Sequence, residues 1–260
     1  MTTIISVHSY RGGTGKSNIS ANVAALLAQS GHRVGVMDVD IRSPGIHVLF
    51  GLEPQNIDHT LNDFLWGRCS VDAAIVDVTR AAVPGTPRGR GQVLLVPSSM
   101  RTGEIARILK EGYAVEVLNE GIHELCRRLD LDYLIIDTHP GVNEETLLSV
   151  AISDTLLMVL RPDQQDYQGT AVTLELAMRL EVPQMLLVVN KVHSSIDAVE
   201  LKGEIEAAYR SPVACVLPLS DDLVRLGSAA VLAAVTPNAP YVTALRDVLA
   251  YLEPRHASAG

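Results

Sequence analysis

The stretch His8 to Asn18, "HSYRGGTGKSN", decides how the chain is read. An apolar run, "TIISV" (Thr3 to Val7), precedes it; a helical stripe of Ile19, Val23, Leu26 and Leu27, closed by Gly31, follows it. Strand, glycine-rich turn and helix in that order make an anion nest. Gly12, Gly13 and Gly15 let the backbone turn its N–H groups inward, and the positive end of the helix strengthens the cradle. Lys16 is placed to reach the β- and γ-phosphates of a nucleotide, and the Ser17 hydroxyl to bind Mg²⁺. Gly12, Gly13, Thr14, Gly15, Lys16, Ser17 and Asn18 are therefore the expected nucleotide-binding set. Tyr10 stands where the ordinary G-x-x-x-x-G-K-S/T loop has its first glycine, and Arg11 comes next.

Short runs rich in Val, Ile and Leu recur outward from this loop: "RVGVMD" (Arg33 to Asp38), "QVLLVP" (Gln92 to Pro97), "YLIID" (Tyr133 to Asp137), "TLLMVL" (Thr155 to Leu160), "QMLLVVN" (Gln184 to Asn190) and "VACVLP" (Val213 to Pro218). Continuous apolarity marks strands covered on both faces, hence a mostly parallel sheet. Between them, Val115, Leu118, Ile122, Leu125 and Leu129 form a helical stripe, read as a helix lying on the sheet. The alternation predicts a doubly wound α/β fold, one domain over residues 1–260, and the Gly-Lys-Ser loop makes it one of the P-loop NTPase kind. "AAVPGTPRGRG", Ala81 to Gly91, is read as an exposed loop, with a partner contact through Arg88 and Arg90 as the alternative.

Two further segments end strands in acid. "DVDIRSPG" puts Asp38 and Asp40 at the carboxyl edge of the sheet, where open α/β folds bind ligands. One residue apart on an extended chain, they are expected on opposite sides, one structural and one reaching the γ-phosphate region. "LDYLIIDTHPG" puts Asp137 at the next such edge, suited to supporting Mg²⁺ directly or through its water shell. Each alone is also what a solvated strand end looks like.

Together, R-G-G-T-G-K-S, D-V-D-I-R-S-P-G-I-H-V-L-F-G, L-I-I-D-T-H-P-G and L-L-V-V-N-K resemble the MinD/ParA family of deviant Walker A ATPases, in order and spacing over nearly the whole chain. "TLNDFLWGRCSVDAAIVD", Thr60 to Asp77, is similar to the family segment leading into the third core strand. The resemblance implies an ATP-sandwiched dimer that hydrolyses ATP slowly, with ATP/ADP and Mg²⁺ as cofactors. It implies that Lys16 binds phosphate, that Ser17, Asp40 and Asp137 serve the metal, and that Asp40 also positions or polarises the attacking water. It also implies that Asn190 recognises adenine and Pro218 flanks the base. Family members usually carry lysine at the position of Arg11, reaching across the dimer to the partner's phosphates. Arginine keeps that charge with a different geometry, so Arg11 is expected to act in trans.

Composition narrows the role. The chain is 47% hydrophobic and 20% charged with a net charge of −9, which argues against a broad nucleic-acid or acidic-membrane surface. After Asn190, the basic residues Lys191, Lys202, Arg210, Arg225, Arg246 and Arg255 are spread out, so DNA binding is not favoured. The stripe Val242, Leu245, Val248, Leu249 and Leu252 has few cations beside it and is expected to pack on the core rather than anchor to membrane as in MinD. Three scattered cysteines, Cys69, Cys126 and Cys215, and no basic leader fit a reducing cytoplasm. They also disfavour the cluster-carrying relatives. His8, His47 and His139 are read as ordinary loop histidines, with no metal beyond Mg²⁺. The expected partner is a protein the sequence does not name. The alternatives are a synthetase of the dethiobiotin type and a nucleotide sensor with negligible hydrolysis.

Overall fold

The computed structural model describes residues 1–85 and 91–253; Arg88, Arg90 and Arg255 lie outside them. Eight strands form one sheet: β1 Thr3–His8, β2 Arg33–Asp38, β3 Val76–Asp77, β4 Gln92–Val96, β5 Tyr133–Asp137, β6 Thr155–Leu160, β7 Gln184–Val192 and β8 Val213–Pro218. Their order across the sheet is β3-β4-β2-β5-β1-β6-β7-β8. Every pairing is parallel except β3 with β4. The seven apolar runs are the seven parallel strands. The two residues of β3 are too short and too polar to announce themselves by apolarity, and they form an edge.

β1 lies between β5 and β6, so the chain crosses to opposite sides on leaving its two neighbours, and a crevice opens at the carboxyl edge of the sheet. Helix α1, Lys16–Gln29, leaves from that edge and is buried on nearly every side. It ends in a Schellman turn: His32 N–H donates to the Leu27 carbonyl and Gly31 N–H to that of Ala28, with Gly31 at φ 99°.

What covers the outer side of α1 is the C-terminal apolar stripe. Val242, Leu245 and Val248 are fully buried in the same cluster as Val23, Leu26 and Leu27. The Asn22 Oδ1 accepts from Ala233 N–H at 2.7 Å, fixing the contact. Core packing of this stripe follows the sequence expectation. On the opposite face of the sheet, Leu118, Ile122 and Leu125 of helix Val115–Leu129 pack on Leu134 and Ile136 of β5. Helices Gln164–Arg179 and Ala198–Tyr209 cover β6, β7 and β8.

Candidate functional site

The loop from Ser9 to Gly15 joins the end of β1 to α1. Gly13 and Gly15 take φ 76° and 100°. At Gly15 a Cβ would also stand 2.5 Å from the Asn190 Nδ2, so glycine is required on two counts. The first turn of α1 carries neither a capping side chain nor an acid, which leaves its N–H groups to an anion.

The ladder sets the acids beside this loop. Asp137 is the register partner of Asp38 across β2–β5 and of Val7 across β1–β5. Asp137 is buried and accepts from the Ser20 hydroxyl at 2.9 Å. Burial pushes its carboxyl up to about 6, against the pull of the Ser17 hydroxyl and Lys16. The Lys16 ammonium is itself buried, which lowers its pKa, while Asp137, Asp40 and Asp38 oppose that shift.

Asp38 and Asp40 do divide their roles, but not by pointing apart. Residues two apart on an extended chain share a face rather than opposing each other, and both carboxylates sit in the field of Lys16. Asp38 is fully buried and accepts from the backbone N–H of Asp40 at 3.2 Å and of Gly45 at 3.3 Å, bracing the loop. Burial, then Asp137 and Asp40, hold its carboxyl well above the usual range. Asp40 is half-buried, and its Oδ1 accepts from Ser43 N–H at 3.1 Å and pairs with the His139 Nδ1 at 2.6 Å.

Asn190 sits where β7 bulges. Its register with β8 passes from Val189–Val216 to Val192–Pro218, one extra residue on β7, and Lys191 takes φ 60°. The bulge turns both side chains to the phosphate loop: Asn190 Nδ2 donates to the Thr14 carbonyl at 2.7 Å and Lys191 Nζ to the Gly13 carbonyl at 2.7 Å. The Asn190 Oδ1 accepts from Lys191 N–H at 2.8 Å, and the Tyr241 hydroxyl lies beside the Asn190 side chain. Pro218, half-buried, ends the neighbouring strand.

Arg11 lies at the mouth of the loop, 42% of its side chain exposed. It donates to the Gln165 Oε1 and stands 3.9 Å from Asp166 and 4.0 Å from Asp163, all at the start of helix Gln164–Arg179. Beside it the Tyr10 ring rests on Gly169 of that helix, where a Cβ would come within 2.7 Å of the Tyr10 Cβ and closer still to its ring.

Ser20, Lys191, Gly169 and His139 are parts of the site that motif reading passed over. Ser20 was legible as the residue one turn beyond Lys16 on α1; the others depend on tertiary contacts. Of the other histidines, His8 is buried with Nδ1 on the Thr138 hydroxyl at 2.8 Å, and His47 is buried away from the loop. The three cysteines are free, Cys215 buried within β8.

The family profile described as "ParA: NUBPL iron-transfer P-loop NTPase" matches residues 1–208. The uncharacterized ATP-binding protein MJ0547 of Methanocaldococcus jannaschii is 30% identical over 254 residues, 97% of this chain and 88% of its own. The flagellum site-determining protein YlxH of Helicobacter pylori is 34% identical over 163 residues, 62% of this chain and 49% of its own, so the match spans about half of that relative. The septum site-determining protein MinD of Pyrococcus horikoshii, solved with Mg-ADP, aligns with a TM-score of 0.79 at 19% identity, over 97% of this chain and 96% of that one. Seven parallel strands around a Gly-Lys-Ser loop, and a profile running through β7, agree: the chain belongs to the ParA family of ATP-binding P-loop NTPases.

Proposed function

We propose that the chain is a Mg-ATP-dependent switch that hydrolyses ATP slowly, dimerises when ATP is bound, and in that state positions or regulates a protein partner. The observation that carries this reading is the gathering of Lys16, Asp40 and Asp137 around one anion nest, with a cation, Arg11, left on its outer rim. In this reading Lys16 and the Gly12–Asn18 backbone bind phosphate. Ser17, Asp137 and Asp40 are oxygen donors of the hard kind that Mg²⁺ selects, and Asp40 also orients the attacking water. Asn190 reads adenine with Pro218 against the base. Residues 1–260 are taken as one nucleotide-binding domain, since the single sheet draws strands from Thr3 to Pro218 and the segment beyond packs on α1. A cytoplasmic location belongs to the same reading; among the described residues no helix is long and apolar enough to cross a membrane.

Arg11 is the cation proposed to cross the dimer. To do so it has to release Gln165, Asp163 and Asp166; the first two contacts are exposed and so cheap to break, and the buried Asp166 keeps its bidentate pair with Arg161. Solution mass with ADP, ATP and a non-hydrolysable analogue, measured alongside phosphate release, tests the switch. Dimers with ATP and the analogue, monomers with ADP and slow release are expected. Turnover that requires an added small acid or amine at constant mass would establish the synthetase instead. Dimers without release would establish the sensor.

A further inference from the structure

His139 follows Asp137 by two residues, and its ring lies against the other acidic loop. The His139 Nδ1 is 2.6 Å from the Asp40 Oδ1, the shortest polar contact Asp40 makes. A carboxylate only accepts, so Nδ1 carries the proton and donates it into this bond. The same oxygen takes Ser43 N–H, while Oδ2 takes no hydrogen bond from the described residues.

The backbone of His139 is held as well. Its carbonyl accepts from the Thr146 hydroxyl at 3.2 Å, and Thr146 N–H is capped by the Asn143 Oδ1 at 2.8 Å at the start of helix Glu144–Ala151. A second bond runs from the Asp40 loop to that helix, Arg42 to Glu145 at 3.2 Å. Val39 N–H to the Asp137 carbonyl at 2.9 Å makes a third. The loop that carries Asp40 is thus tied at three points to the end of β5 and the segment that follows it, and of the three bonds the one from His139 acts on a carboxylate of the site.

We propose that His139 is a positioning residue for Asp40: it fixes the carboxylate through Oδ1, leaves Oδ2 for the attacking water, and sets the Asp40–Asp137 pair in one geometry before nucleotide arrives. This rests on the reading of Asp40 as the group that orients water. Preorganising an acceptor in this way acts on the rate and hardly on ground-state binding, because the nest and Lys16 hold the phosphates without it.

The test is a set of four variants, His139→Ala, His139→Asn, Asp40→Asn and the Asp40→Asn/His139→Ala double, with kcat from phosphate release and Mg-ATP affinity by direct binding. His139→Ala is expected to lose about tenfold in kcat, the worth of one charge-assisted hydrogen bond, with affinity within about threefold. Asparagine places an N–H where Nδ1 stands, so His139→Asn recovers most of the rate. Asp40→Asn is the most impaired, and adding His139→Ala to it changes nothing further. His139→Ala with an unchanged kcat, in a protein that Asp40→Asn inactivates, overturns the positioning role alone. Equal loss in His139→Ala and His139→Asn does the same. An Asp40→Asn protein with undiminished kcat instead overturns the reading of Asp40.

Discussion

The two ends of the phosphate loop are built on different principles. The inner end, Gly13 to Lys16, has Thr14 and Lys16 buried and is tethered to β7 by Asn190 and Lys191. The outer end, Tyr10 and Arg11, lies at the surface and leans on helix Gln164–Arg179. Left-handed glycines and bonds to carbonyl oxygens leave the inner end one conformation. A ring on a glycine and an exposed cation among carboxylates leave the outer end a choice. Binding belongs to the first, and in the proposed function response to a second subunit belongs to the second.

The sharpest way to break this contrast is to remove one cation from each end. Lys16→Ala is expected to weaken ATP binding by at least about a hundredfold, since a buried charge on phosphate is lost. Arg11→Ala is expected to stay within about threefold. Equal losses in a titration with a fluorescent nucleotide would show the two ends to be one unit.

Gly169→Ala probes the outer end next. A glycine inside a helix normally costs about 1 kcal/mol relative to alanine, so the substitution should stabilise an ordinary helix. Here the new methyl meets the Tyr10 ring, and overpacking of this kind costs about 1–3 kcal/mol. Urea unfolding should show a loss for Gly169→Ala that Tyr10→Gly relieves in the double variant; a gain in the single variant would mean the ring is not seated there.

Below the loop, His8 gives a pH signature. Burial first, then Lys16 and His139, lower its pKa to about 3, against 6.5 for the free side chain. The folded protein therefore keeps this imidazole neutral while the unfolded chain protonates. Stability from this group is full above about pH 6.5 and is lost as pH falls toward 3, by about 2 kcal/mol at pH 5. Asp38 and Asp137, with raised pKa values, run the opposite way, so the quantity to read is wild type minus His8→Asn in urea at pH 7.5 and 5. Parallel curves would contradict the burial of a neutral ring. Smallest is Lys191→Met, which removes one exposed tether to Gly13 and should cost about 1 kcal/mol or less.

The same contrast explains what could be read in advance. Seven strands, α1 and the positions of Lys16, Asp40 and Asp137 follow from apolar runs, glycine spacing and strand ends, all local in the chain. The burial of the C-terminal stripe was legible from its shortage of cations. His139 on Asp40 and Tyr10 on Gly169 were not, because they join residues 99 or more positions apart and neither contact follows from local spacing. The expectation that Asp38 and Asp40 point apart missed because it misapplied strand alternation: residues two apart on an extended chain share a face.

The central proposal is that Arg11 serves the partner's nucleotide, and mixing two impaired variants tests it most directly. Arg11→Ala keeps Asp40, and Asp40→Asn keeps Arg11. If Arg11 acts across the dimer, an equal mixture regains turnover, because half of the dimers are mixed and each has one complete site, about a quarter of the wild-type rate. A mixture as inactive as its components would place Arg11 in its own subunit's site and contradict the proposal.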